Sequence, residues 1–272
     1  MTAAAALLHA LLGGVYCLLA GLAALDLRQP LGRRTRRFVL AFAAMVGSCG
    51  LHHLTMAWAT ATGDHPGTPA MLLSLLLGLV PGLAFAGLRL EAVLGGRGDR
   101  FLPGQPAAVA LLAPVGFTSL GLVTGVAVTT SVAEHAGYHR DGTLLGQATA
   151  PLAGWLAGHA PEQVATAALN AGSLAVYAAV AVLLLRTQLN RRTLLGGWSL
   201  SGLSLGLVFA SCALMHLVAA LEHAHGTAHT LVVDLLLVPA GLAFLAVVRD
   251  EHRLSQRVVA PADAPGPVGA TG

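Results

Sequence analysis

The chain contains no lysine, and only 10% of its 272 residues are charged. About a quarter of an ordinary soluble domain is Asp, Glu, Lys or Arg, so the composition excludes that class. Aromatic residues make up 5% of the chain and nowhere alternate with basic ones. That argues against a nucleic-acid partner. The three cysteines (Cys17, Cys49 and Cys212) all lie in apolar runs and form no Cys-x-x-Cys pair. They exclude the framework of a disulfide-stapled secreted domain. What is abundant is hydrocarbon: 56% of residues are hydrophobic.

Seven apolar runs read as membrane-spanning helices, at about 3–25, 38–60, 70–94, 107–132, 165–185, 197–221 and 229–248. Each approaches the roughly 20 residues that a helix needs to cross a bilayer. The first run has no basic segment before it and no evident cleavage site, so it is expected to stay as a helix rather than act as a signal peptide. Leu144 to His159 is apolar but short and holds Pro151, which suits an interfacial or re-entrant piece. The tail from Pro261 is rich in Pro, Ala and Gly and is expected to be disordered. All 15 basic residues are Arg, and all but Arg140 follow the first, third, fifth or seventh run. The positive-inside rule then places the protein in the cell membrane with the N-terminus outside and the C-terminus cytoplasmic.

The last three runs repeat the first three. Ala6, Leu8, Ala10, Val15 and Tyr16 match Ala167, Leu169, Ala171, Val176 and Tyr177. Ser48, Cys49, Leu51, His53 and Leu54 match Ser211, Cys212, Leu214, His216 and Leu217, and the Pro81 segment matches the Pro239 segment. An odd linking helix gives both repeats one orientation. The expected fold is an all-α integral membrane protein of seven helices, 3+1+3, with two parallel three-helix repeats. Its parts are 1–106, the linker helix with outer loop 107–163, 164–258 and the tail 259–272. In helix count and repeat order this layout resembles the SWEET and PQ-loop transporters, although no Pro-Gln motif is present.

The chemistry centres on Cys-x-x-x-His, which occurs as Cys49/His53 and again as Cys212/His216. Residues at i and i+4 share a helix face. If the repeats face each other, two thiols and two imidazoles meet, a donor set for zinc or copper. His53 and His216 could instead bind a haem axially. The alternative is packing: free Cys is often buried, and each His can bond a neighbouring helix. Met56 lies one turn above His52, and Met215 takes the repeat position of His52; thioethers favour Cu(I). Eleven of the 12 His fall on the outer side: His9, His52, His53, His65, His135, His139, His159, His216, His223, His225 and His229. His135/His139 and His225/His229 carry the spacing that pairs imidazoles on a helix face, beside Glu134 and His223, in segments that are otherwise read as solvated loop. Asp234 is the one carboxylate well inside an apolar run, a candidate to orient a His, carry protons or bind a cation. His9, with Asn170 as its counterpart, can complete the site, whereas Tyr16 and Tyr177 read as packing residues.

Met215-His216-Leu217 and His52-His53-Leu54-Thr55-Met56 resemble the signatures of MHYT-type bacterial membrane sensor domains. Those domains carry Met-His-aromatic-x-x-Met near the outer face; here the aromatic is missing, and the second copy lacks the last Met. The resemblance implies copper, or gas sensing through a metal, with a separate signalling or redox partner. Three functions follow: a metal- or haem-binding protein for sensing, redox or metal handling; a 3+1+3 transporter of a small solute or ion, with Pro81 and Pro239 as hinges; and an outer-face metal hydrolase. For the last, Ser48-x-x-x-His52 with Asp234 and His225-x-x-x-His229 is similar to the ceramidase-like pattern, although on different helices. Homo-oligomers are compatible with all three.

Overall fold

The computed structural model describes residues 1–64, 68–102, 158, 160–192, 194–223 and 231–259, without the side chains of 221–223 and 257–259. Its helices are α1 (Thr2–Asp26), α2 (Arg33–Thr62), α3 (Pro69–Val93), α4 (Pro161–Arg191), α5 (Leu200–His223) and α6 (Leu231–Val259). All six are long and apolar enough to cross a membrane, as a multi-pass membrane protein requires. The expected helix at 107–132, the piece at 144–159 and the tail from 261 lie outside the described residues.

The helices run further than the apolar runs. α2 takes in Arg33 to Arg37, and α6 continues through Arg249 and Arg253. Backbone hydrogen bonding does not stop where hydrocarbon stops, and Arg is a good helix former. At the Arg-rich end of the bundle, the helix ends are tied by ion pairs: Arg89 with Asp26, Arg34 with Glu251 at 2.7 Å, and Arg100 with Glu91 at 3.1 Å. Strand β1 (Phe101–Leu102) pairs antiparallel with β2 (Trp198–Ser199). It was not legible, since two residues carry no periodicity. Beside it, Asp99 accepts the backbone N–H of Ser201 at 2.9 Å and the Ser199 hydroxyl at 2.7 Å. A carboxylate there caps the N-terminus of α5 and complements its dipole. Burial pushes the Asp99 carboxyl up, but hydrogen bonds from Ser201, Ser199 and Arg100 outweigh it and hold it below the usual carboxylate range.

The helix contacts fall into corresponding pairs. α1 packs on α2 and α3; α4 packs on α5 and α6; α2 meets α6, and α3 meets α5. Gly82 of α3 lies against Val15 and Tyr16, and Gly241 of α6 lies against Val176 and Tyr177. α1 and α2 approach closely at Gly13 and Gly50. A Cβ on Gly50 would stand 2.7 Å from the Cys17 sulfur and 3.2 Å from the Gly13 carbonyl oxygen. In a bilayer, such small residues let backbones pack where apolar side chains gain nothing over lipid. Toward the Arg-rich end, the core is aromatic. Phe42 contacts Phe85 and Phe244 at ring-centre distances of 5.9 and 5.7 Å, and Phe244 stacks on Phe209 at 5.3 Å.

Candidate functional site

Above the phenylalanines the core turns polar. His9, His52, His53, Asn170, His216 and Asp234 are all buried, Asn170 and Asp234 completely. Helical spacing assembles them. His9 and Tyr16 lie seven residues apart on α1, and Asn170 and Tyr177 do the same on α4, two turns along one face. Cys49/His53 on α2 and Cys212/His216 on α5 are each one turn apart. The Gly13–Gly50 crossing seats the N-terminal part of α1 close to the C-terminal part of α2, and His9 Nδ1 meets His53 Nδ1 at 3.0 Å.

Each clustered imidazole has its Nδ1 held by a different partner. His53 is held by His9. His216 Nδ1 lies 2.7 Å from Asn170 Oδ1, and His52 Nδ1 lies 2.8 Å from Asp234 Oδ1. Asn170 also donates to Asp234 Oδ2 at 3.1 Å, so His52, Asp234, Asn170 and His216 form one connected chain across α2, α6, α4 and α5. The ring centres of His52 lie 5.6 Å from His53 and 5.3 Å from His216. Pairing of this kind is what a bilayer core favours, because a buried orphan costs about 1–3 kcal/mol; the His52–Asp234 contact is a close N···O approach rather than an aligned hydrogen bond.

The two thiols are bridged by phenols in a crossed pattern. Tyr16 of α1 meets Cys212 of α5 at 3.1 Å, and Tyr177 of α4 meets Cys49 of α2 at 3.2 Å. Cys49 also lies near Cys212 and His216. Tyr16 and Tyr177, expected to pack or to sit at an interface, do pack in the core, and their hydroxyls also join the site. Their signal was the matched seven-residue spacing from His9 and Asn170.

Of the candidate residues, Cys49, His52, His53, Cys212, His216, His9 and Asp234 thus come together. Met56 is buried in the core, and the Met215 methyl lies beside Gly78 of α3; neither has a described contact with the imidazoles. His65, His135, His139, His159, His225 and His229, and the side chain of His223, lie outside the described residues. Asn170 was read only as the counterpart of His9, yet it is the hub between Asp234 and His216.

The donor set can be tested against a metal. Two imidazoles sharing one ion, at about 2 Å per bond, hold ring centres about 5 Å apart, close to the 5.6 Å of His52–His53 and the 5.3 Å of His52–His216. Two thiols next to imidazoles suit zinc or Cu(I). As they stand, however, no three His, Cys, Asp or Glu side chains among the described residues are grouped to hold an ion, so loading requires side-chain rotation. Haem fits less well. Rings of His52, His53, His216, Tyr16 and Tyr177 pack at 5.1–5.6 Å, which leaves no slot for a flat macrocycle between them. No family model, curated protein or solved structure matches this chain.

Proposed function

We propose that this is a multi-pass membrane protein whose buried imidazole–thiol cluster binds a transition metal, copper or zinc, for sensing, redox or metal handling. The observation that carries it is that His52, His53 and His216 each have Nδ1 tied to a partner, Asp234, His9 and Asn170. Metal-binding His is ordinarily oriented in this way by its second nitrogen. His53, His216, Cys49 and Cys212 would hold the ion, with the two thiolates lowering its net charge in the apolar core. The likeness of the His/Met stretches to the MHYT-type signatures supports copper. In this reading the chain is a 3+1+3 bundle with 107–132 as the seventh helix and the C-terminus cytoplasmic. The paired helix contacts and the crossed Tyr–Cys bonds support two repeats facing each other.

The test is metal analysis of untagged protein in detergent. About one copper or zinc per chain is expected, lost in His53→Ala and His216→Ala. No metal after reloading refutes the reading.

A second reading, transport of a small ion or solute, is favoured by one observation. The His52–Asp234–Asn170–His216 chain runs between helices of both halves. Intramembrane Asp/His chains carry protons in pumps and transporters. Solute or proton flux in vesicles that persists after metal removal and stops in Asp234→Asn would support it over the metal site.

A further inference from the structure

A second site lies at the Arg-rich end of the bundle. A cleft of about 340 Å³ opens where α1 and α3 end and α2 and α5 begin. Its walls include Phe38, Phe42 and Phe85, and its rim offers the side chains of Thr35, Gln29 and Ser201. Arg89 also faces it, but its guanidinium is already matched by Asp26. The cleft is therefore aromatic-walled, close to charge-neutral and supplied with hydrogen-bond donors, at the level where spanning helices end. By contrast, the larger cleft between the start of α2 and the end of α6 sets four arginines against two carboxylates, which suits any anion and singles out none.

The aromatic walls continue inward. From Phe42 the rings run through Phe244, Phe209 and Tyr177 to His216 at successive centre distances of 5.7, 5.3, 5.9 and 5.1 Å. They join the cleft to the Tyr177–Cys49 pair without a gap. We infer that this cleft binds the head group of an isoprenoid quinone. Its flat ring packs on Phe42, with Phe85, set nearly perpendicular to Phe42, against its edge, and its carbonyl oxygens accept from Thr35 and Gln29. A neutral head with acceptor oxygens matches the rim. A redox-active ring also matches a path that ends in oxidisable side chains, which an ordinary lipid head would leave without use. The inference does not need a metal at the imidazole–thiol cluster.

The experiment uses the full chain in detergent and decylubiquinone as probe, read by quenching of tryptophan fluorescence, with Trp198 three residues from Ser201. Saturable quenching is expected. Thr35→Val, an exposed rim position, should weaken binding about fivefold through one lost hydrogen bond. Phe42→Leu should weaken it by a similar factor, about fivefold, through the lost ring contact. n-Decylbenzene, the same tail on a ring without carbonyls, should not compete. His53→Ala should bind the quinone normally, so failure of the metal reading leaves this result intact. Unsaturable quenching, unchanged binding in Thr35→Val, or equal competition by n-decylbenzene would overturn the inference. If Phe42→Leu does not elute as a single folded species, Thr35→Val decides alone.

Discussion

Replacing Gly50 by Ala adds one methyl group where α1 and α2 approach closely. The new Cβ would lie 2.7 Å from the Cys17 sulfur, 3.1 Å from the Cys17 backbone nitrogen and 3.2 Å from the Gly13 oxygen, whereas ordinary contact begins at 3.4 Å. The sulfur can swing aside, but the two backbone atoms cannot, so the helices must part by a few tenths of an ångström. Overpacking of this kind costs about 1–3 kcal/mol, against a gain of up to about 1 kcal/mol from exchanging Gly for Ala in a helix. Net destabilisation of roughly 1–2 kcal/mol follows from these two terms. Gly47, one turn earlier on α2, is the control. Its Cβ would find only the Ala20 Cβ at 3.6 Å, so Gly47→Ala should be neutral or stabilising. Cys17→Ala combined with Gly50→Ala should recover only part of the loss, because the backbone contacts remain. Thermal unfolding in one detergent, followed by tryptophan fluorescence, compares all three. If Gly50→Ala melts with Gly47→Ala, the close crossing does not hold His9 against His53, and the account of how the site is built fails.

Other substitutions probe the polar core and the cap. Tyr16→Phe and Tyr177→Phe each remove one phenol from a buried thiol and should each cost about 0.5–1.5 kcal/mol, measured by the same melts; no loss in either would mean that these contacts do not form. Asn170→Ala strips a partner from both His216 and Asp234 and should cost more than either Tyr variant, roughly 1–3 kcal/mol per orphaned group. For Asp99, the folded carboxyl sits below its unfolded range, so its contribution is present above the ordinary carboxylate range and is lost as pH falls through the folded value. Between neutral pH and about pH 3, the wild type should therefore lose more of its melting temperature than Asp99→Asn does; parallel pH profiles would remove the cap from the account.

Much of the architecture was legible because a bilayer permits few solutions. Six of the expected spans are helices, and the main discrepancies are at the polar ends of α2, α4 and α6. There hydropathy falls while the helix continues, so a reading based on hydrocarbon stops early. The site was legible where a helical repeat placed two chemical groups on one face, as at Cys49/His53 and Cys212/His216. Asn170 and the Tyr hydroxyls were harder to read. An amide or a phenol in an apolar run has no spacing rule that separates packing from hydrogen bonding, and only the partner helix reveals which applies. The register of α1 on α2 depends on Gly13 and Gly50 meeting, a long-range match that no local pattern encodes.

The crossing of the Tyr–Cys bonds has a consequence for how the protein can be divided. Residues 1–102 hold Tyr16 and Cys49, yet the partner of each lies in 160–259, and the converse holds for Tyr177 and Cys212. Neither segment can complete its own thiol–phenol pair, although each contains one of both groups. Two copies of one segment could reproduce the crossed bonds only by turning face to face, as the two segments do within one chain. Separately expressed segments are therefore complementary parts of one lock rather than independent units, and their reassembly depends on exchange of partners.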